Sequence, residues 1–130
     1  MENKTKNDFV PIQTKLAGVT FGDCQANIRQ WGCPKYGIYD IVREPNNPYD
    51  PNAVRVTTLN NDFMGYLPKS IAAELSPMMH LGRTFIAEFV KVNAFSEITD
   101  RVGLTVKLIE ISDFSLTVNF DFSWLITVTH

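Results

Sequence analysis

Disulfide chemistry, membrane insertion and a broad basic face are all missing from this chain. Its 130 residues hold two cysteines, Cys24 and Cys33, too few for a disulfide framework, so a reduced cytoplasmic protein is expected. No apolar run approaches the ~20 residues of a membrane-spanning helix. The opening Met1-Glu2-Asn3-Lys4-Thr5-Lys6 runs into polar sequence without the apolar centre of a signal peptide. The two histidines, His80 and His130, stand apart from each other and from the cysteines. No zinc-finger or ribbon spacing results, and neither a metal nor another cofactor is expected. A Gly-rich phosphate loop, His-x-x-x-His and Gly-x-Ser-x-Gly are absent too. Without a nucleophile–base pair the chain does not read as an enzyme.

Charge is nearly balanced and unevenly placed. Twelve basic residues face fourteen acidic ones, for a net charge of −2. Residues 14–92 hold eight basic and seven acidic residues, residues 93–130 two and five, and residues 1–13 balance. Sequence-blind duplex binding needs many phosphate contacts, which this chain cannot supply. Any nucleic acid must be held by a few placed groups.

With 45% hydrophobic residues, the chain can bury one core and is expected to form one mainly β domain with two short helices. Residues 1–13 read as a loose leader ending at Pro11. Lys15-Leu16-Ala17-Gly18-Val19-Thr20-Phe21 reads as a strand. Asp23 is a plausible N-cap for a short helix over residues 24–31, stopped by Gly32 and Pro34. Residues 36–43 are β-rich, with Ile38 and Ile41 assigned inward. Residues 53–58 and 63–67 form a hairpin around Asn60-Asn61-Asp62. Pro68 suits the first position of a helix whose apolar stripe is Ile71, Ala72, Leu75, Met78 and Met79, ended by Gly82. Two further strands follow: residues 84–92, with Phe85, Ala87 and Phe89 on one face, and residues 103–111. The latter put Leu104, Val106 and Leu108 opposite Thr105 and Lys107.

The informative segment is Arg43-Glu44-Pro45-Asn46-Asn47-Pro48-Tyr49-Asp50-Pro51-Asn52-Ala53-Val54. It is a proline-stiffened loop between two strands, carrying a ring, carboxylates and carboxamides. Stiffness limits the ordering a ligand must impose, and Asn and Asp side chains can cap the loop's own backbone. Arg43 and Glu44 suit the fixing of this loop by pairing. Its companions are Leu16-Ala17-Gly18-Val19-Thr20-Phe21 upstream and Gly65-Tyr66-Leu67-Pro68-Lys69 downstream.

Together these segments resemble the HIRAN domain, found at the N-terminus of some helicase-like remodelling proteins and alone in bacteria. The resemblance covers about Lys15 to Ile111, and the domain is expected over residues 14–112. It implies a small modified OB-like β-barrel with two helices, which binds single-stranded DNA at a 3′-hydroxyl end. Asp50 matches the family carboxylate that accepts a hydrogen bond from the terminal hydroxyl. Tyr49 and Phe21 match aromatics that stack on or flank the end bases, and Phe95 matches a further aromatic. Asn47 matches a position contacting the backbone, and Lys69 a phosphate contact at a helix start. Tyr66 falls where the best-studied members carry histidine. Thr20 occupies the site of a phosphate-binding arginine, and Cys24, before Gln25, stands where many bacterial members have arginine.

The resemblance implies a non-catalytic DNA-end-binding module for repair or processing, working beside a helicase, nuclease or other DNA-processing protein and apart from membranes. The alternative is a protein-interaction module that keeps the barrel and has lost DNA affinity. The tail has no counterpart in the family pattern. Phe114, Leu116, Val118, Phe120, Phe122 and Trp124 alternate with polar residues, and β-prone sequence continues to Thr129. Residues 113–130 are expected to extend the domain as strand, with a homodimer formed through residues 114–129, because such an apolar stripe is poorly left in water.

Overall fold

Period-two alternation through the middle of the chain becomes one six-stranded antiparallel sheet. In the computed structural model the described residues are 9–94 and 100–111. The strands are β1 (Ile12–Lys15), β2 (Ile38–Arg43), β3 (Val54–Thr58), β4 (Phe63–Tyr66), β5 (Thr84–Ala94) and β6 (Val102–Ile111). The helices are α1 (Cys24–Trp31) and α2 (Lys69–His80), with a 3-10 turn at Pro34–Tyr36. Sheet order is β1-β6-β5-β2-β3-β4. The expected mainly β, OB-like architecture with two helices is what the chain adopts.

Curling brings the two edges of the sheet together. Leu16 N–H still donates to Leu104 O of β6 at 2.9 Å, but Ala17 changes partner. Its N–H donates to Tyr66 O at 2.7 Å, and Tyr66 N–H donates back to Ala17 O at 2.8 Å. The strand expected over residues 15–21 is therefore split. Gly18, at φ +62, turns the chain, and Thr20 and Phe21 lie in the turn that follows. The crossing needs Gly65: a Cβ there would stand 3.0 Å from Ala17 O and 3.1 Å from Val19.

Helix α1 lies against the seam with its side-chain amides. Gln25 Nε2 donates to Val19 O and Val102 O, at 2.9 and 2.8 Å, while Gln25 Oε1 accepts from Val102 N–H at 3.0 Å. Asn27 Nδ2 donates to Phe63 O, on the edge strand, at 2.8 Å. Backbone groups left over by sheet closure thus find partners on one helix, as groups shielded from water must. Asp23 occupies the N-cap position without a side-chain cap bond. Pro68 is the N-cap of α2 rather than its first residue.

Strand pairing and side-chain burial correct three expectations. The leader is shorter than thirteen residues: Ile12 and Gln13 pair with Leu108 and Lys107 of β6. Phe9 packs edge-on to Phe85, with ring centres 4.9 Å apart. Ile38 is exposed and pairs with Glu88 on the outer face, whereas Tyr39, opposite Ala87, is fully buried beside Ile41. Thr105 is buried rather than outward, and its Oγ1 donates to Asn93 Oδ1 on β5 at 2.6 Å, next to a bulge between Phe89 and Lys91. The core fills with Leu16, Ile28, Tyr39, Val54, Val56, Met64, Leu75, Leu104, Val106 and Leu108. Among the described residues no helix is long and apolar enough to cross a membrane. The tail from residue 112, and Phe95, lie outside the described residues.

Candidate nucleic-acid interface

Three segments distant in sequence meet in one groove of about 490 Å³. The Ala17–Phe21 turn contributes Gly18 and Phe21, the β2–β3 loop contributes Asn47, Tyr49 and Asp50, and β4 with the start of α2 contributes Phe63, Tyr66 and Lys69. Six of the eight residues singled out from the sequence are thereby brought together. Thr20 is exposed and is not among the lining residues; Phe95 is not described.

The loop wall is shaped by its own side chains. Asn47 Oδ1 accepts from the N–H groups of Tyr49 (2.8 Å) and Asp50 (3.1 Å), an Asx turn that carries the chain over Pro48. Asp50 Oδ1 accepts from Asn52 N–H at 2.9 Å. Asp50 Oδ2 makes no hydrogen bond to the described residues. The base of the loop is closed by Glu44 N–H to Ala53 O at 2.9 Å. Rigidity here leaves Tyr49 almost wholly in solvent, at 92% exposure, and Phe21 is 60% exposed. Neither ring belongs to the core, where strand aromatics usually lie.

Glu44 ties this wall to the floor. Its Oε1 accepts from Asn47 Nδ2 and from the Tyr66 hydroxyl, both at 2.9 Å. Its Oε2 faces Arg55 at 3.5 Å. Burial first, and the Glu44 hydrogen bond second, raise the Tyr66 phenol above its ordinary pKa, so Tyr66 remains a neutral donor. Arg43 does not pair with Glu44. Its Nε donates to Ser76 Oγ at 3.0 Å and its terminal nitrogen lies 3.4 Å from His80 Nδ1, fastening α2 behind the loop.

Phe63 is the lining residue that alternation could not find. Strict period two would put it opposite Tyr66, three positions on. The register between β3 and β4 slips at Val56/Thr57, pairing Val56 with Gly65 and Thr57 with Phe63 and leaving Met64 as the extra residue. This bulge brings the Phe63 and Tyr66 rings edge to face, 5.2 Å apart. Lys69 is exposed at the first turn of α2, where the first backbone N–H groups have no helical acceptors.

A groove with two exposed rings, one carboxylate oxygen to spare, a cation and a helix start can stack planar groups, accept a hydroxyl and meet an anion. A family model described as HIRAN domain matches residues 22–108 of this chain. A helicase-like transcription factor of Oryctolagus cuniculus is 36% identical over 80 residues, covering 56% of this chain and 8% of that protein. A Fanconi-associated nuclease 1 homolog of Arabidopsis thaliana is 34% identical over 68 residues, covering 52% of this chain and 7% of that protein. The chain thus spans less than a tenth of the length of these curated relatives. The crystal structure of a protein from Lactobacillus plantarum shares the fold, with a TM-score of 0.57 at 19% identity over 78% of this chain and 98% of that one.

Proposed function

The chain belongs to the HIRAN domain family, and from that premise we propose that its groove grips the end of a single DNA strand and reads the 3′-hydroxyl. The observation that carries this reading is the division of labour on Asp50. One oxygen holds the loop through Asn52, and the other has no partner among the described residues, in a groove it shares with Phe21 and Tyr49. An ionised carboxylate only accepts hydrogen bonds, so a terminal hydroxyl is a fitting donor and a terminal phosphate is repelled. Stacking on the two rings supplies about 1–3 kcal/mol per base without regard to sequence. A phosphate is met by Lys69 and the free N–H groups at the start of α2. Asn47 serves the site as the loop's internal brace, and Tyr66 as its floor.

On this reading the domain is a binding module without chemistry of its own. It acts in DNA repair or processing beside a helicase, nuclease or similar partner, the company suggested by the names of the curated relatives. A homodimer through residues 114–129 is part of the proposal. The test is fluorescence anisotropy with 5′-labelled single strands ending in 3′-hydroxyl or 3′-phosphate. Preference for the hydroxyl end supports the reading, and equal binding removes end recognition. Failure to bind either strand hands the groove to a protein ligand.

A further inference from the structure

The guanidinium of Arg55 is not itself a lining group of the groove but is held against one, with most of its hydrogen-bonding capacity unspent. It lies 4.4 Å from the centre of the Phe63 ring, and Phe63 lines the groove. Its ion pair with Glu44 measures 3.5 Å, long beside the roughly 2.7–2.9 Å of a charge-assisted N–H···O bond. The contrast within this same protein is Arg83, which grips Glu110 with two nitrogens at 2.7 Å each. Arg55 Nε, sealed from solvent, has no hydrogen-bond partner among the described residues, yet the Arg55 side chain as a whole is 32% exposed. A guanidinium presents five donors in a flat fork. Here a single long contact uses one of them.

Glu44 is meanwhile committed elsewhere. Its other oxygen holds Tyr66 and Asn47, both groove-lining residues, so it cannot close bidentately on Arg55. Arg55 is therefore joined to three lining side chains, to Phe63 by stacking and to Tyr66 and Asn47 through Glu44. Among the described residues that line the groove, Lys69 is the one cation. Resting on the reading of the groove as a single-strand site, we infer that Arg55 is a phosphate-binding residue of that site and adds a second cation to that of Lys69. The strand's phosphate takes the terminal N–H donors that Glu44 leaves free, and contact with the Phe63 ring fixes the orientation of the guanidinium for it.

Salt dependence distinguishes this role from a structural one. The probe is a 5′-fluorescein oligothymidylate with a 3′-hydroxyl, titrated with the full chain at several salt concentrations. Losing one phosphate contact on a single strand lowers the slope of log affinity against log salt by about 0.7. Arg55→Gln is expected to show that drop, with binding about three- to tenfold weaker at low salt and converging on the unaltered protein at high salt. Arg55→Lys retains the slope. Glu44→Gln keeps an acceptor for Tyr66 and Asn47 while removing the anion beside Arg55, so it tightens binding. An unchanged slope in Arg55→Gln with equal loss at every salt, or weaker binding in Glu44→Gln, overturns the inference while the single-strand reading stands. Absence of binding by the unaltered protein overturns both.

Discussion

The Tyr66 hydroxyl donates to Glu44 Oε1 at 2.9 Å, so the floor of the groove and its loop wall form one hydrogen-bonded unit. The same carboxylate oxygen accepts from Asn47, whose own oxygen fixes the N–H groups of Tyr49 and Asp50. A ring on an edge strand thereby sets where the loop's ring and carboxylate stand. Tyr66→Phe keeps the ring and deletes the bond, with an expected loss of about 1 kcal/mol in urea denaturation. DNA affinity should fall by no more than about fivefold, because the strand must then order the loop itself. A loss of fold stability with unaltered loop proteolysis and affinity would uncouple Tyr66 from the loop.

Asp50→Ala separates end reading from loop shaping. The substitution removes the Oδ1 contact to Asn52 N–H, worth about 1 kcal/mol, and the unpartnered oxygen with it. Affinity for 3′-hydroxyl strands is expected to drop about tenfold, a 1.4 kcal/mol effect, while affinity for 3′-phosphate strands stays level or rises. Equal loss on both strands would reduce Asp50 to a brace for its own loop.

Gly65→Ala tests the seam of the barrel. Gly65 has φ +149, and an added Cβ would meet the Ala17 carbonyl at 3.0 Å and Leu16 Cβ at 3.3 Å. Those atoms belong to the segment that leads into Gly18 and Phe21, so the displacement reaches the groove. Destabilisation of at least ~1–3 kcal/mol is expected from backbone strain, with weaker single-strand binding in the same variant. A fully stable variant would show that the seam can open without cost.

Much of this was legible in the sequence, and the exceptions turn on contacts between separate elements. Short-range patterns identified α1, α2, the hairpin and the loop of residues 44–52, because periodicity, caps and prolines act locally. Sheet closure does not. Ala17 leaves β6 for β4, and this exchange of partners turns an expected strand into a turn that carries Phe21 into solvent. Phe63 reaches the groove only through the Met64 bulge. Glu44 was legible as a pairing residue. Its partners were not, since Tyr66 and Arg55 lie 22 and 11 residues away. The inward choice of Ile38 over Tyr39 failed because hydrophobicity alone cannot show that the Tyr39 hydroxyl would find the Trp31 carbonyl, 3.1 Å away.

Alkaline pH should weaken the fold through two buried groups of the core, Cys24 and Tyr39, that do not line the groove. Burial lifts the Cys24 thiol from 9.0 to about 11 and the Tyr39 phenol from 10.0 to about 12. Both folded values lie above the unfolded ones, so above about pH 9 the unfolded chain binds fewer protons than the folded protein. Stability from these groups is complete below that pH and is lost as pH rises toward 12, at up to about 1.4 kcal/mol per pH unit for each. Tyr39→Phe removes the share lost between pH 10 and 12, although it also sacrifices the Trp31 bond at neutral pH. Urea midpoints measured from pH 8 to 11.5 decide the matter. An equally steep decline in Tyr39→Phe would exclude Tyr39 as a source of it.

The tail supplies the last prediction. Phe114, Leu116, Val118, Phe120, Phe122 and Trp124 alternate with polar residues, and only Asp113 and Asp121 put charge into the stretch from 113 to 129. An apolar stripe of this length, with few charged gatekeepers, tends to pair with another chain. Pairing with a second copy across a two-fold axis uses one patch twice and closes the assembly, where head-to-tail pairing would continue without end. The full chain is therefore expected to be a dimer by light scattering at tens of micromolar, and truncation after Ser112 a monomer. Because the groove is built from residues 17–69, the truncated chain should keep its affinity for 3′-hydroxyl strands within about twofold, allowing for lost avidity on short probes. A monomeric full chain would return the stripe to its own domain. A dimeric truncation would move the interface elsewhere.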